Sequence, residues 1–291
     1  MAETPRRAAV RLLVPGDLDA VVRVSDSVGW TNRRLTLEFF VGRGDSAFFV
    51  AELDGTIVGC GGATAFGPRP SGTPTGWIHG IAVAPSAQGG GLGTALTQAG
   101  IDWLTARGVP TVLLVATEAG LPIYRRLGFQ SAGRYASFDW PSELAGEGPR
   151  HRLRRASPSD MPAVLELDAT ATGEDRAAFL TNADATPWVL EIDRGGGWRV
   201  EGFHLPCLWG GGPTIARDEA SALPLLDLSS RFHRREAARP LAVPEDNHRA
   251  IEHLARAGLA PRRHVTRMWL GDDPPVIRAE MIWGVFNFAI A

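Results

Sequence analysis

The residues best suited to chemistry are gathered in one segment, Val83-Ala84-Pro85-Ser86-Ala87-Gln88-Gly89-Gly90-Gly91-Leu92-Gly93-Thr94, which leaves a strand-like run and enters a helix-like one. Glycines here let the backbone bend tightly and leave no side chain in front of its amides. The first turn of the following helix adds unpaired N–H donors and a partial positive charge. That combination is an anion site, most simply for a pyrophosphate. It is not a Rossmann turn, because GxGxxG started at Gly89 puts Thr94 at the last glycine and started at Gly91 puts Leu96 there. Nor is it a Walker loop, which needs a lysine: all 30 Lys and Arg residues are arginine. The same lack of lysine excludes Schiff-base chemistry, pyridoxal enzymes included. What fits is Gln-x-x-Gly-x-Gly on Gln88, Gly91 and Gly93.

Other chemistries have little to stand on. Cys60 and Cys207 lie far apart in apolar surroundings without a histidine at ligand spacing, so no disulfide framework and no metal is expected, and a reduced, cytoplasmic setting follows as the default. The N-terminus lacks the apolar core of a signal peptide, and the most apolar stretch, Met281–Ile290, is too short to span a membrane and reads as a closing core element. Arginines Arg231, Arg234 and Arg235 are interspersed with acids in a chain of net charge -2. They read as a solvated face, and no nucleic-acid partner is expected.

The elements that must position the glycine turn come in two sets. Arg11, Pro15, Asp17, Ala20 and Val21 recur as Arg154, Pro158, Asp160, Ala163 and Val164, and Pro110, Gly128 and Phe129 are matched by Pro240, Gly258 and Leu259 at an offset of 130 residues. Two copies of one fold are therefore expected, residues 1–146 and 147–291, joined by the linker Pro141–Pro149. In the first, Val10–Val14 reads as a strand, Asp17 as a helix N-cap, and Leu35–Val41 as a helix on an arm that carries Trp30. Strands Ala47–Leu53 and Thr56–Ala65 meet at Asp54-Gly55, a hairpin turn. Trp77–Val83 is a strand before the glycine turn, and the helix after it presents Leu92, Leu96, Ala99 and Trp103 on one face. Strand Val112–Ala116, helix Leu121–Leu127 and strand Tyr135–Trp140 complete the copy. The order gives an α/β fold, a mixed sheet with helices on both faces.

On these residues the chain resembles the GNAT acetyltransferase superfamily, whose coenzyme A loop follows Arg/Gln-x-x-Gly-x-Gly/Ala at the start of a helix. The run Ala119-Gly120-Leu121-Pro122-Ile123-Tyr124-Arg125-Arg126-Leu127-Gly128-Phe129 resembles the second GNAT signature, an aromatic residue before Leu-Gly-Phe. Gly29-Trp30 and Trp77-Ile78 are similar to a bacterial subgroup with a second, divergent GNAT-like domain. The resemblance implies acetyl transfer from acetyl-CoA to a primary amine of a small molecule or peptide by direct attack. It implies that Gly89, Gly91, Gly93 and Thr94 hold the pyrophosphate with Gln88 and Gly90 shaping the loop, and that Leu92 belongs to the same cofactor-binding segment. Ile81, Ala82 and Val83 would pair with the pantetheine arm, and Tyr124 would protonate the departing thiolate. Thr117 stands where the family often has Asn. For the general base His79 is the first candidate and Glu118 the second, with a buried structural histidine and a solvated acid as the competing readings and a water relay as a further route. Trp30, Phe39 and Phe40 lie on the arm that covers the acceptor site in this fold, or else pack in its core. In the second copy Asp218 and Glu219 replace the glycine loop and Leu254 the tyrosine, so a degenerate partner domain is expected. A monomer or homodimer is expected, and a non-catalytic acyl-CoA sensor is the alternative function.

Overall fold

The structure, a computed structural model, describes residues 8–31, 33–68, 73–140, 151–183, 185–193, 195–207, 211–233, 240–272 and 274–288. The expected linker and Arg234 and Arg235 lie outside the described residues. The first half runs β1 (Ala8–Leu12), α1 (Leu18–Ser27), α2 (Arg34–Phe40), β2 (Ser46–Leu53), β3 (Thr56–Pro68), β4 (Pro74–Val83), α3 (Leu92–Thr105), β5 (Thr111–Ala116), α4 (Leu121–Arg126) and β6 (Gln130–Phe138). The second runs β7 (His151–Arg155), α5 (Met161–Thr172), α6 (Ala177–Thr181), β8 (Trp188–Asp193), β9 (Trp198–His204), β10 (Thr214–Ala216), α7 (Glu219–His233), β11 (Leu241–Pro244), α8 (His248–Arg256), β12 (Arg263–Gly271) and β13 (Ile282–Gly284). Asp54 (φ 51°) and Gly55 (φ 78°) make the expected hairpin turn, both in the left-handed region that a type I′ turn requires.

Both halves open on the same ionic triad. Arg11 reaches Asp17 and Glu52, each at 2.6 Å, and Arg154 reaches Asp160 and Glu191, each at 2.7 Å. The two aspartates do not cap α1 and α5 with their side chains, as the sequence suggests. Each carboxylate is taken by its arginine and by the backbone N–H of Val14 (2.9 Å) or Ser157 (2.7 Å), closing the 3-10 turn before the helix. The buried face of α3 also differs from expectation: Leu92, Leu96, Thr97, Gly100 and Leu104 are buried, while Ala99 and Trp103 are half-buried. Gly100 takes the place against the sheet because Ile78 approaches so closely that a Cβ there would stand 3.2 Å from it.

The halves share a sheet. An eight-stranded sheet runs β1-β2-β3-β4-β5-β12-β6-β11, and a five-stranded one runs β13-β10-β9-β8-β7. Two strands of the second half therefore belong to the first half's sheet, and β12 separates β5 from β6. The offset of 130 residues makes β11 the counterpart of β5 and β12 that of β6, so the run β5-β12-β6-β11 reads the same from either end. Val265 and Tyr135, counterparts at that offset, pair with each other in this ladder. The sheet is thus built like the interface of a two-fold dimer, but within one chain.

Between the halves lies an apolar core. Phe179 of α6 meets Phe39, Phe40, Phe66 and Phe286 at ring separations of 5.1, 5.8, 6.0 and 5.0 Å. Each buried phenyl stabilises the joint by about 1.5–3 kcal/mol. Buried Glu174 is matched across it, accepting from Thr75 Oγ1 (2.8 Å) and Trp77 Nε1 (2.9 Å), and beside it within the second half Arg176 pairs with Asp168 at 2.5 Å. Burial raises the Glu174 pKa.

Candidate active site

The site begins where two parallel strands part. β4 and β5 are paired only from Thr75 to Trp77 against Thr111 to Leu113. Beyond Trp77 the register of β4 against β3 shifts between His79 and Ala82, with Gly80 at φ 64° in the bulge. A bulge bends its strand and increases the local twist. The strands diverge, and a cleft of about 690 Å³ opens through the sheet.

One side of the cleft is the α3–α4 face. Ile81, Val83, Gln88, Gly89, Gly91, Leu92, Gly93 and Thr94 line it together with Ile123, Tyr124 and Arg126. Gly91 (φ 80°) is the left-handed residue immediately before α3, and Gly89 has φ 84°. A Cβ at either would meet no protein atom within 4 Å, so the turn presents bare backbone to open space. Gln88 Nε2 donates to the Val83 carbonyl at 2.9 Å and ties the loop back to its strand. Ala82 and Gly90 are not among the lining residues: Ala82 is buried opposite Cys60, and Gly90 is exposed on the outer side of the turn. The donor set fits a diphosphate, through main-chain N–H groups at a helix start, and the free edge of β4 fits an extended amide-bearing arm.

Tyr124 is buried beside this loop, its ring packed on Phe129 at a centroid separation of 6.0 Å. Burial pushes its hydroxyl up to about 12, so it carries its proton throughout the neutral range.

The two candidate bases fare differently. His79 lines the cleft but is buried, hydrogen-bonded through Nε2 to Thr64 Oγ1 (2.9 Å) and flanked by the rings of Phe40 (4.6 Å) and Phe48 (5.3 Å). Burial first, and the Arg33 charge second, push its pKa down to about 3. The imidazole is therefore neutral and too weak a base to accept a proton from an ammonium near pH 7. Glu118 is exposed on the turn after β5 and is not among the lining residues, although its neighbours Thr117 and Ala119 are. On the arm, Trp30 lines the cleft, whereas Phe39 and Phe40 are engaged with Phe179 in the core between the halves.

Residues that the sequence did not single out form the rest of the lining. Thr31 and Arg33 come from the arm, and Pro240, Arg263, Val265 and Phe288 come from the second half. Arg263 and Val265 reach the cleft because β12 is inserted beside β5. No local signal marks such a contact across more than 130 residues of chain.

At the corresponding place in the second half there is no cleft loop. β10 ends at Ala216 and α7 begins at Glu219. The gap between β10 and β11 is occupied by the chain: β13 pairs with β10 at Thr214–Gly284 and Ile215–Ile282, and Val285 N donates to Ala242 O of β11 at 2.9 Å.

This asymmetric pair of folds can be compared with known proteins. Residues 21–129 match the acetyltransferase (GNAT) family, and residues 164–284 match an acetyltransferase (GNAT) domain. The chain is a tandem GNAT protein. Among its relatives, the mycothiol acetyltransferase of Amycolatopsis mediterranei is 36% identical over 137 residues, which cover 42% of this chain and 46% of that one. That of Frankia alni is 33% identical over 167 residues, covering 49% of each. The matched stretch thus spans about half the length of these relatives. Among solved structures, a Pyrococcus horikoshii chain superposes with a TM-score of 0.77 at 21% identity, covering 98% of this chain and 96% of its own. The GCN5-related N-acetyltransferase from Sphaerobacter thermophilus gives 0.63 at 20% identity, covering 95% and 99%. These similarities establish the α/β GNAT fold in tandem. No helix among the described residues of the tandem GNAT protein is long and apolar enough to cross a membrane.

Proposed function

We propose that this tandem GNAT protein is an N-acetyltransferase that moves an acetyl group from acetyl-CoA to a primary amine by direct attack, using its first half as the catalytic unit and its second as a degenerate partner that completes the acceptor side. The observation that carries the reading is the placement of a left-handed glycine turn at the start of α3 in the same cleft as a buried, protonated tyrosine. Gly89, Gly91, Gly93 and Thr94 would hold the diphosphate through main-chain N–H groups, and Ile81 to Val83 would pair with the pantetheine arm. Acetyl-CoA, when bound, supplies the acetyl group as an activated thioester. The cleft walls place the acceptor nitrogen against that carbonyl, which is an entropic contribution. As the C–N bond forms and the C–S bond breaks, Tyr124 donates its proton to the departing sulfur and is restored by the second proton of the amine. The first proton leaves to water, since the His79 imidazole is too weak a base and Glu118 lies outside the cleft. Buried Cys60 and Cys207 are thiols that suit a reducing, cytoplasmic setting.

Tyr124→Phe tests this directly. Free thiol release from acetyl-CoA, followed across a panel of amines, should fall by about 10²-fold in kcat for the variant. Its affinity for acetyl-CoA should be unchanged by calorimetry. Equal kcat in wild type and Y124F removes the tyrosine from the chemistry, and binding without turnover on every amine indicates a sensor.

A further inference from the structure

The lining of this cleft is drawn from two different apolar clusters. Leu92, Ile123 and Tyr124 belong to the apolar cluster under α3 and α4, whereas Trp30, Val115, Val265 and Phe288 belong to the cluster between the halves. The second group carries two guanidinium groups. Arg33 lies over the Trp30 ring at 5.1 Å, and Arg263 lies over the Phe288 ring at 5.0 Å. The residues flanking Arg263 in the chain both have acidic partners: Arg262 reaches Asp139 at 2.7 Å, and His264 reaches Glu245 at 2.5 Å. Arg263 between them points into the cleft and makes no ion pair among the described residues. No Asp or Glu is among the described residues that line the cleft.

From this placement, and resting on the acetyl-transfer reading above, we propose that the acceptor is a primary amine that also carries an anionic group, and that Arg263 holds that anion on the side of the cleft away from the glycine loop. The chemistry is that of a charge-assisted hydrogen bond to a carboxylate or phosphate, which is stronger than one to a neutral acceptor. A purely cationic amine, such as a diamine, would face the like charge of Arg263 and no carboxylate among the described lining residues. The Trp30 and Phe288 rings both line the cleft and suit an apolar or planar body in the acceptor. Arg263 comes from the second half, so the degenerate domain would set the specificity of a reaction whose cofactor site it does not share.

The experiment uses the full chain and matched acceptors: phenylalanine, phenylalaninamide and phenethylamine as one series, and phosphoethanolamine with ethanolamine as another. Turnover of acetyl-CoA and calorimetric binding to the CoA-loaded protein are both read. The anionic member of each series should show at least a tenfold higher kcat/KM and a tenfold tighter Kd. Arg263→Gln should erase most of that ratio without weakening CoA binding, and Arg262→Gln, at the residue that precedes β12 and pairs with Asp139, should leave the ratio intact. Equal or better use of the neutral or cationic members by the wild-type protein overturns the proposal, as does R263Q weakening CoA while the ratio stands. The failure of every anionic member to bind also overturns it. If anionic members bind preferentially but nothing is acetylated, the anion site stands and the acetyltransferase reading falls.

Discussion

Where β4 parts from β5 in the first half, a cleft opens with a glycine loop at its mouth; where β10 parts from β11 in the second, the chain closes the gap with its own strand β13. The same fold thus yields an open cleft or a filled seam, depending on which segment takes the free edge of the central strand. A free strand edge is a template for pairing. In the first half that edge faces the open cleft, and in the second it is satisfied internally. Trp283 of β13, fully buried, anchors the filling strand in the second half's core.

The largest consequence of the comparison concerns whether either half can stand alone. Residues 1–146 expressed without the second half lack β12 and β11, leaving β5 and β6 unpaired with each other and the inner face, with Phe39, Phe40, Trp77 and Tyr135, uncovered. That fragment should show no cooperative thermal transition and should aggregate, and co-expression with residues 147–291 should restore a folded complex. A fragment that melts cooperatively on its own would mean that the shared sheet is an ornament of two independent folds.

Next in size is the effect of a side chain in the loop. Gly91→Val forces a β-branched residue into a left-handed conformation and puts methyl groups before the helix start. Calorimetry should show one acetyl-CoA site per wild-type chain, and its Kd should rise by about 100-fold or more in G91V. Ala216→Val, at the corresponding strand end of the second half, is not expected to alter the stoichiometry. Two equal sites in the wild-type chain would break the comparison outright.

Much of this was legible in the sequence, for reasons that can be stated residue by residue. The glycine loop, the Asp54-Gly55 turn and Tyr124 act through local backbone rules and motif spacing, and so they could be placed before any coordinates. The repeat anchored on Arg11 and Arg154 was visible because both arginines serve the same triad. The fate of His79 was not legible: its burial depends on Phe40 and Phe48 from other elements. Phe39 and Phe40 sit on the expected arm, but Phe179 on the far half captures them. Arg263 and Val265 reach the cleft only through the exchange of strands, which leaves no mark in periodicity.

A smaller effect separates the first half's cleft from proton chemistry. Because His79 has a pKa of about 3 in the folded chain and an unfolded imidazole titrates near 6.5, the unfolded state holds the extra proton between those values. Stability should therefore fall with decreasing pH below 6.5, by roughly 2 kcal/mol between pH 7 and pH 5 from this group alone. Guanidinium unfolding at the two pH values should show that loss in wild type and a smaller one in His79→Gln, which keeps a partner for Thr64. A loss that persists undiminished in H79Q would assign it to other groups and return His79 to the list of bases.

The smallest effects test the claim of equivalence itself. Arg11 and Arg154 are both partly solvent-exposed, at 37% and 39% of their side chains, and make the same contacts to an aspartate and a glutamate. In each triad the arginine hydrogen bond holds the aspartate, Asp17 or Asp160, below the usual carboxylate range. Their contribution is present above the ordinary carboxylate pKa and is lost as pH falls through the lowered folded values. Arg11→Ala and Arg154→Ala should lower the melting temperature by similar, small amounts, both reduced in high salt because exposed charges are screened. If the two halves are one cooperative unit joined by the shared sheet, each substitution shifts a single transition and the double variant shifts it by the sum, since the triads share no partner. Two separate transitions, each moved by only one substitution, would show that the halves unfold independently and that the ladder of β5, β12, β6 and β11 does not couple them.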